Sequence, residues 1–425
     1  MAETWQNWYG ELQRFIAAHP AIEIDRSSVV IPGDIRHEFY KLFDTVRASF
    51  VRERFASELE KACVMSAAYG ETGKAVTQEM QLEDIEIHAS LKWFLLDPTN
   101  GLMRVLFDPL FDLLKGKADL AGFTGVADTA VADSFKALFR EGYELWGTLA
   151  LLRLLTPDLM WLGKTHDFYT DPTMEGDIVE GNRDDVVPDP VESRKLVFDN
   201  LVRASFVVPG VLVHSGRLAS YISLRPNWYL PRWKARMLSE RLEWIELKTL
   251  YKDFGTDNLW PDMMIHVADE RPEELKLLAD YYHLARPEII VEFMEEDDWW
   301  NAGRIEDIMR HNMALNPRLG SYVISRVEVP PEAFKPPEAA QGSVSAISAP
   351  VVTTTSGTSV TATEVTPPPM SLPPSLAELP ANVHVISVGY DMSKLEPVVN
   401  ALAQAAAMIK EVRRKELQAG QNPDG

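Results

Sequence analysis

The sequence contains a single cysteine, Cys63, among 425 residues. An intramolecular disulfide needs two cysteines and a multi-cysteine zinc site needs more, so both are excluded. Residues 1–5 show neither the basic residues nor the apolar run of a signal peptide. These absences favour a reducing, intracellular compartment such as the cytoplasm.

A long uninterrupted hydrophobic run is also absent. The most apolar window, residues 145–162, contains Arg153, Pro157 and Asp158. Because a charge near the centre of a bilayer is costly, this window predicts a buried helix and no membrane span.

Basic residues are scarce. The chain has 42 Lys and Arg against 63 Asp and Glu, which gives a formal net charge of −21. Binding to nucleic acid or to an anionic membrane surface depends on Lys and Arg, so the charge argues against both classes of partner.

Two segments match the phosphate-binding loop motif only in part. Gly-Lys pairs occur at residues 73–74 and 163–164, yet the glycine required five residues earlier is replaced by Ala68 and Asp158. Without that glycine the backbone cannot curl around a phosphate group.

Other catalytic motifs fail in the same way. His37-Glu38 begins like a zincin helix, but Lys41 stands where the second histidine is required. Glu246-Leu247-Lys248 resembles the acid-x-Lys step of some metal-dependent nucleases, which requires a strand, whereas the surrounding pattern is helical. Whether the chain is an enzyme is left open.

The patterns that are present predict an α+β or α/β multidomain protein. Residues 1–165 show apolar residues at three- and four-residue intervals, which predicts an N-terminal all-helical domain with a possible short strand at 22–31. Residues 166–192 form an acidic stretch, predicted to be a solvated loop and domain boundary in preference to a calcium site.

Residues 193–330 are predicted to form a mixed α/β domain. A helix at 193–206, a β-hairpin at 207–225 and a long helix at 233–254 come first. Apolar runs at 263–267, 289–294 and 322–329 then alternate with helical patterns at 270–282 and 302–313. This β-α-β-α-β order is typical of parallel strands.

The remainder changes character. Residues 331–380 are rich in Pro, Ser and Thr, which predicts a disordered linker. Residues 381–425 predict a strand and then a helix with one apolar stripe, from Leu395 through Val398 and Leu402 to Val412. Such a unit is too small to be stable alone, so we expect it to dock on its own chain or on a neighbouring subunit.

Acidic residues follow two of the predicted strands: Asp269 after the first, and Glu295, Asp297 and Asp298 after the second. At the carboxyl ends of parallel strands these carboxylates would hold Mg²⁺ or Mn²⁺. Capping of the next helix explains the same residues more simply. The scattered His266, His283 and His311 are likewise interpreted as structural hydrogen-bonding groups.

Two functional hypotheses result. The favoured one is a non-enzymatic structural or assembly protein that contacts a protein partner or forms a homo-oligomer through its C-terminal docking segment. The alternative is a divalent-metal-dependent enzyme that acts on a phosphorylated or sugar-containing substrate at the acidic strand ends.

Overall fold

A computed structural model describes the residues in ten ranges. These are 4–162, 191–192, 194–198, 211–226, 244–246, 252–253, 261–270, 283–301, 303–335 and 375–420.

The first part of the chain is helical, as predicted. Its helices are α1 (Trp5–Ala18), α2 (Arg36–Arg54), α3 (Ala56–Glu79), α4 (Ala89–Leu96), α5 (Pro98–Met103), α6 (Phe107–Leu114) and α7 (Leu120–Leu155). Side-chain caps define the first residues of two of these helices. The side chain of Asp97 caps α5, which has Pro98 in its first turn, and the Asp119 side chain accepts the Gly122 N–H (2.7 Å) to cap α7.

Helix α7 is the longest element and passes from the helical region onto the sheet. It closes at Thr156, whose φ of 47° lies in the left-handed region, and Pro157 follows. A strand therefore begins where the apolar window 145–162 predicted continued helix. The helical prediction for 1–165 also missed a strand at Asp84–Ile87, while residues 22–31 form a small hairpin of two short strands.

The strands are numbered along the chain. They are β1 (Glu23–Ile24), β2 (Val29–Val30), β3 (Asp84–Ile87), β4 (Pro157–Leu162), β5 (Val191–Glu192), β6 (Lys195–Phe198), β7 (Val211–Ser215), β8 (Ser220–Pro226), β9 (Trp244–Glu246), β10 (Met263–Ala268), β11 (His283–Ala285), β12 (Ile289–Met294), β13 (Ser321–Ser325) and β14 (Val383–Ser387). Among the described residues, eight strands form a central sheet in the order β14-β13-β12-β10-β8-β7-β4-β5.

The hairpin prediction is confirmed and one strand direction is corrected. Strands β7 and β8 pair antiparallel around the turn at 216–219. Strands β12 and β13 are parallel and are joined by helix α8 (Arg304–Leu315), as predicted. Strand β10 instead pairs antiparallel with β12, with Met263 opposite Val291 and Ile265 opposite Ile289. The three strands were predicted to be parallel, and only two of them are.

Three further predicted segments are corrected. The helix expected at 193–206 contains strand β6, which pairs parallel with β3, and the helix expected at 233–254 contains strand β9, which pairs with β11. The last two residues of the predicted acidic loop form β5, which pairs with β4. The rest of that loop, most of both helices and the helix predicted at 270–282 lie outside the described residues.

The C-terminal unit belongs to the body of the same chain. Strand β14 pairs parallel with β13, and helix α9 (Glu396–Gly420) crosses the sheet and contacts α7 and β10. Leu395, Val398 and Leu402 are fully buried, whereas Val412, at the end of the predicted stripe, is 56% exposed. The expected docking is thus seen in cis.

The disordered linker predicted at 331–380 is corrected at both ends, where the structure shows short 3-10 turns. Residues Pro331–Phe334 and Leu376–Glu378 form 3-10 turns that contact each other, and Leu376 is buried beside Val329. Residues 336–374, the rest of the predicted linker, lie outside the described part of the chain.

One hydrophobic core joins the helices to the sheet. It runs from Trp5 and Phe50 through Trp146 and Phe293 to Leu402. Gly147 of α7 permits the closest approach, because a Cβ atom there would lie 2.2 Å from Cε1 of Phe293. Among the described residues no helix has the length and apolarity needed to span a membrane.

Candidate functional site

The parallel part of the sheet, β12-β13-β14, has one edge at which all three strands end. Glu295 directly follows β12, Arg326 directly follows β13, and Tyr390 lies three residues after β14. The Arg326 Nε donates to the Glu295 carbonyl (2.7 Å), and the Val388 N–H donates to the Ser325 carbonyl (2.8 Å). Because ligands of open α/β sheets bind at the carboxyl ends of the strands, this edge is a candidate functional site.

Helix α7 brings aromatic residues to this edge. The ring of Tyr143 meets that of Tyr390 edge-on at 5.8 Å and stacks on Trp146 at 5.7 Å. Within the described structure neither tyrosine hydroxyl has a hydrogen-bond partner, although both are buried and Tyr143 is 0% exposed. Burial raises the pKa of both hydroxyls, so each stays a neutral donor at physiological pH.

The predicted acidic residues after β12 are in contact with cations. Glu296 pairs with Lys136 of α7 (2.9 Å), and Asp297 pairs with Lys61 of α3 and with Arg326. Burial would raise the pKa of Asp297, but hydrogen bonds from Lys61 and Arg326 outweigh it and lower that pKa. These ion pairs join helices α3 and α7 to the segment that follows β12.

Glu295 and Asp298 differ from their neighbours. Glu295 is 5% exposed, and burial raises the pKa of its carboxyl above 4.5. Asp298 is exposed, and its backbone carbonyl accepts the Asn301 N–H (2.8 Å) in the turn that follows. Helix α8, which begins at Arg304 after Gly303, has no side-chain cap. The expected capping of this helix by the acidic group is therefore not observed.

Asp269 lies at the opposite end of the sheet. Because β10 runs antiparallel to β12, it ends beside the start of β12, away from Glu295. There Asp269 pairs with Arg413 of α9 (2.9 Å), which also pairs with Glu270. The structure thus brings Glu295 to Asp298 together and separates Asp269 from them. Within the described ranges, no three His, Cys, Asp or Glu residues are grouped in a way that could hold a metal ion.

A buried ion network close to this edge was missed from the sequence. The Arg140 guanidinium donates to Asp262 (2.8 Å) and to Glu144 (2.8 Å), while Asp262 accepts the Phe293 N–H (2.7 Å). Glu292 contacts His311 of α8 at 2.6 Å, and burial raises the pKa of Glu292 although His311 opposes the shift. A glutamate within an apolar strand was the signal, since a buried charge requires a partner.

Two of the three histidines, His266 and His311, form structural hydrogen bonds, as the sequence suggested. His311 holds Glu292, and Nε2 of His266 lies 3.0 Å from the Ala285 carbonyl. The side chain of His283 lies outside the described set. The acid-x-Lys motif needs a correction, because Glu246 ends strand β9 and is not helical, while Leu247 and Lys248 are beyond what the structure describes.

A second candidate surface is the side of β14 that faces away from β13. Among the described residues β14 has a strand neighbour on one side only. Its side chains are half-buried or exposed, in contrast to the fully buried β12 and β13. No Asp, Glu, Lys or Arg occurs from Leu379 to Tyr390. Charges, prolines and coverage normally protect such an edge, and the strand itself contains neither charge nor proline.

No match to a known protein was found. No protein-family model, no curated protein and no solved structure matches the chain. Function is therefore inferred from the two surfaces described above.

Proposed function

We propose that the protein is a structural or assembly protein that acts through protein–protein contacts made by its C-terminal strand and helix. The observation that carries this proposal is the edge of β14, which has no further strand beside it among the described residues. Among the described residues the outward backbone groups of Val385 and Ser387 have no hydrogen-bond partner, whereas the Val383 N–H donates to the Pro380 carbonyl (2.9 Å). The strand carries no charge that would repel another strand.

Helix α9 extends the same argument. Its inner side chains are buried in the common core, but Met408 and Val412, one helical turn apart, are 61% and 56% exposed. The C-terminal unit therefore does two things at once: it completes the fold of its own chain and it presents apolar groups outward.

The metal-dependent alternative has weaker support. It requires Asp269 to share a pocket with Glu295, Asp297 and Asp298, and the antiparallel pairing of β10 and β12 separates them. A calorimetric titration with Mg²⁺ or Mn²⁺ is its direct test, and saturable binding abolished by Asp297→Asn would revive it.

The assembly proposal is tested by the mass of the intact chain in solution. Static light scattering over a wide protein concentration should show a mass that rises above the 47.9 kDa of one chain. A mass that stays at one chain even at about 100 μM, well above the dissociation constants of most specific protein complexes, would contradict self-assembly.

A further inference from the structure

The geometry of β14 points to a specific partner: we infer that a second copy of this chain pairs with it antiparallel, across a two-fold axis that passes beside Val385. This inference rests on the proposed function and names the occupant of the edge.

The direction of the backbone groups follows from two hydrogen bonds at the ends of the strand. The Ser321 N–H donates to the Asn382 carbonyl (2.9 Å), and the Val388 N–H donates to the Ser325 carbonyl (2.8 Å). In a parallel pair the residues that face the neighbour alternate with those that face away. Even-numbered residues of β14 therefore face β13, and the N–H and C=O groups of Val385 and Ser387 point outward.

An antiparallel pair centred on Val385 uses these outward groups. Val385 of each copy would exchange both of its backbone hydrogen bonds with Val385 of the other, and Val383 would stand opposite Ser387. A two-fold axis of this kind makes one strand edge complementary to itself, which is the usual form of a dimer interface.

Charge favours this position for the second copy. Two chains that each carry a net charge of −21 repel each other over most of their surfaces. The uncharged stretch 379–390 contains the whole of β14, so the two strands would meet without like charges opposite one another. The absence of charge in this stretch would also reduce repulsion from another acidic protein. Only a second copy, however, presents an identical strand edge that a two-fold axis makes complementary to this one.

Cysteine cross-linking tests the symmetry residue by residue. The single native cysteine, Cys63, is exposed and is first replaced by Ser. In the proposed pair the two Val385 Cα atoms are about 5.5 Å apart, within the range that a disulfide spans. The two Val383 Cα atoms are offset by four residues, about 14 Å along the strands, which is too far.

We therefore expect Val385→Cys to form a cross-linked dimer on mild oxidation and the matched variant Val383→Cys to remain uncross-linked. Both valines are half-buried on the same face of β14, so their effects on folding should be alike. Equal cross-linking of both variants would overturn the register. If the unmodified chain doubles its mass and Val385→Cys still does not cross-link, the edge pairing is wrong while the assembly function stands.

A backbone variant gives an independent measurement. Val385→Pro removes the outward N–H, and proline is tolerated on an edge strand where that N–H faces away from the sheet. We expect this variant to stay monomeric at concentrations where Val385→Ala, which keeps the N–H, associates like the unmodified chain. Circular dichroism spectra of both variants would test whether they are folded, and a dimer of folded Val385→Pro would refute the pairing.

Discussion

Removal of the Tyr143 hydroxyl should stabilise the protein. In Tyr143→Phe a fully buried O–H without a partner among the described residues is replaced by hydrogen. A buried hydroxyl that has lost its water and gained no hydrogen bond costs about 1–3 kcal/mol. The ring contacts with Trp146, Phe293 and Tyr390 are kept, so packing should change little. We expect the free energy of unfolding to rise by roughly 1–2 kcal/mol.

Urea denaturation monitored by tryptophan fluorescence measures this change, with Tyr9→Phe as the matched control. Tyr9 is also buried, at 7% exposure, but its hydroxyl is not among the buried groups without a partner, and Gln13 lowers its pKa as a hydrogen-bonding group while burial raises it. The control should therefore lose about 1 kcal/mol, opposite in sign to Tyr143→Phe.

The pH dependence gives a second readout of the same group. Burial raises the pKa of Tyr143 well above 10.0, so the folded chain keeps it neutral when the unfolded chain ionises. Above pH 10 ionisation of this tyrosine in the unfolded chain therefore lowers the free energy of unfolding, an effect that is absent below pH 10. Tyr143→Phe should therefore lose less stability than the unmodified protein on going from pH 9 to pH 11.

The opposite result would change the functional conclusion. If Tyr143→Phe lowers the free energy of unfolding by 1 kcal/mol or more, the hydroxyl has a polar partner such as an ordered water or a ligand. The carboxyl edge beside Glu295 and Arg326 would then be a binding site in its own right.

Three further predictions concern packing and charge. Leu402→Ala, at a fully buried position of α9, should lower the free energy of unfolding by about 2–5 kcal/mol in urea denaturation. Met408→Ala, at a position that is 61% exposed, should change that free energy by less than about 0.5 kcal/mol. Similar effects of the two variants would mean that α9 is not docked in cis. Gly147→Ala should lower the free energy of unfolding by about 1–3 kcal/mol because its Cβ would overlap Phe293. Gly125→Ala, in open space on the same helix, should raise it by about 0.5–1 kcal/mol. Equal effects in the same urea denaturation assay would refute the close approach of α7 to Phe293. Glu295→Gln should stabilise the fold increasingly as the pH rises above 4.5, because burial opposes ionisation of this carboxyl in the folded chain. An advantage that is independent of pH would show that the pKa of Glu295 is the same in the folded and unfolded chains.

The positions of most described helices and strands could be predicted from the sequence, because they depend on local periodicity. The 3.6-residue pattern predicted α7 and α9, and the apolar runs predicted β12, β13 and β14. It also predicted helix across α2 and α3, but as one continuous helix, whereas the structure divides it at Phe55. Local pattern failed at 157–162, where an apolar run continues from helix into strand. Only the left-handed Thr156 and the following proline mark the change.

The composition of the candidate site was only partly predictable. The sequence located Glu295 to Asp298 at the end of a strand, and that position is correct. It could not show that Lys61, 236 residues away from Asp297, would be the partner of that carboxylate. Nor could it identify Tyr143 and Tyr390, whose shared environment exists only after α7 packs across the end of the parallel strands.

The sequence by itself determined where the C-terminal strand and helix lie, which side of the helix is apolar, and that the segment 379–390 carries no charge. Tertiary structure alone decided the direction of β10, because a fully buried strand has the same apolar pattern whether it runs parallel or antiparallel to its neighbour. That one direction separates Asp269 from Glu295. Among the described residues, tertiary structure also placed β14 last in the sheet, with β13 as its one strand neighbour.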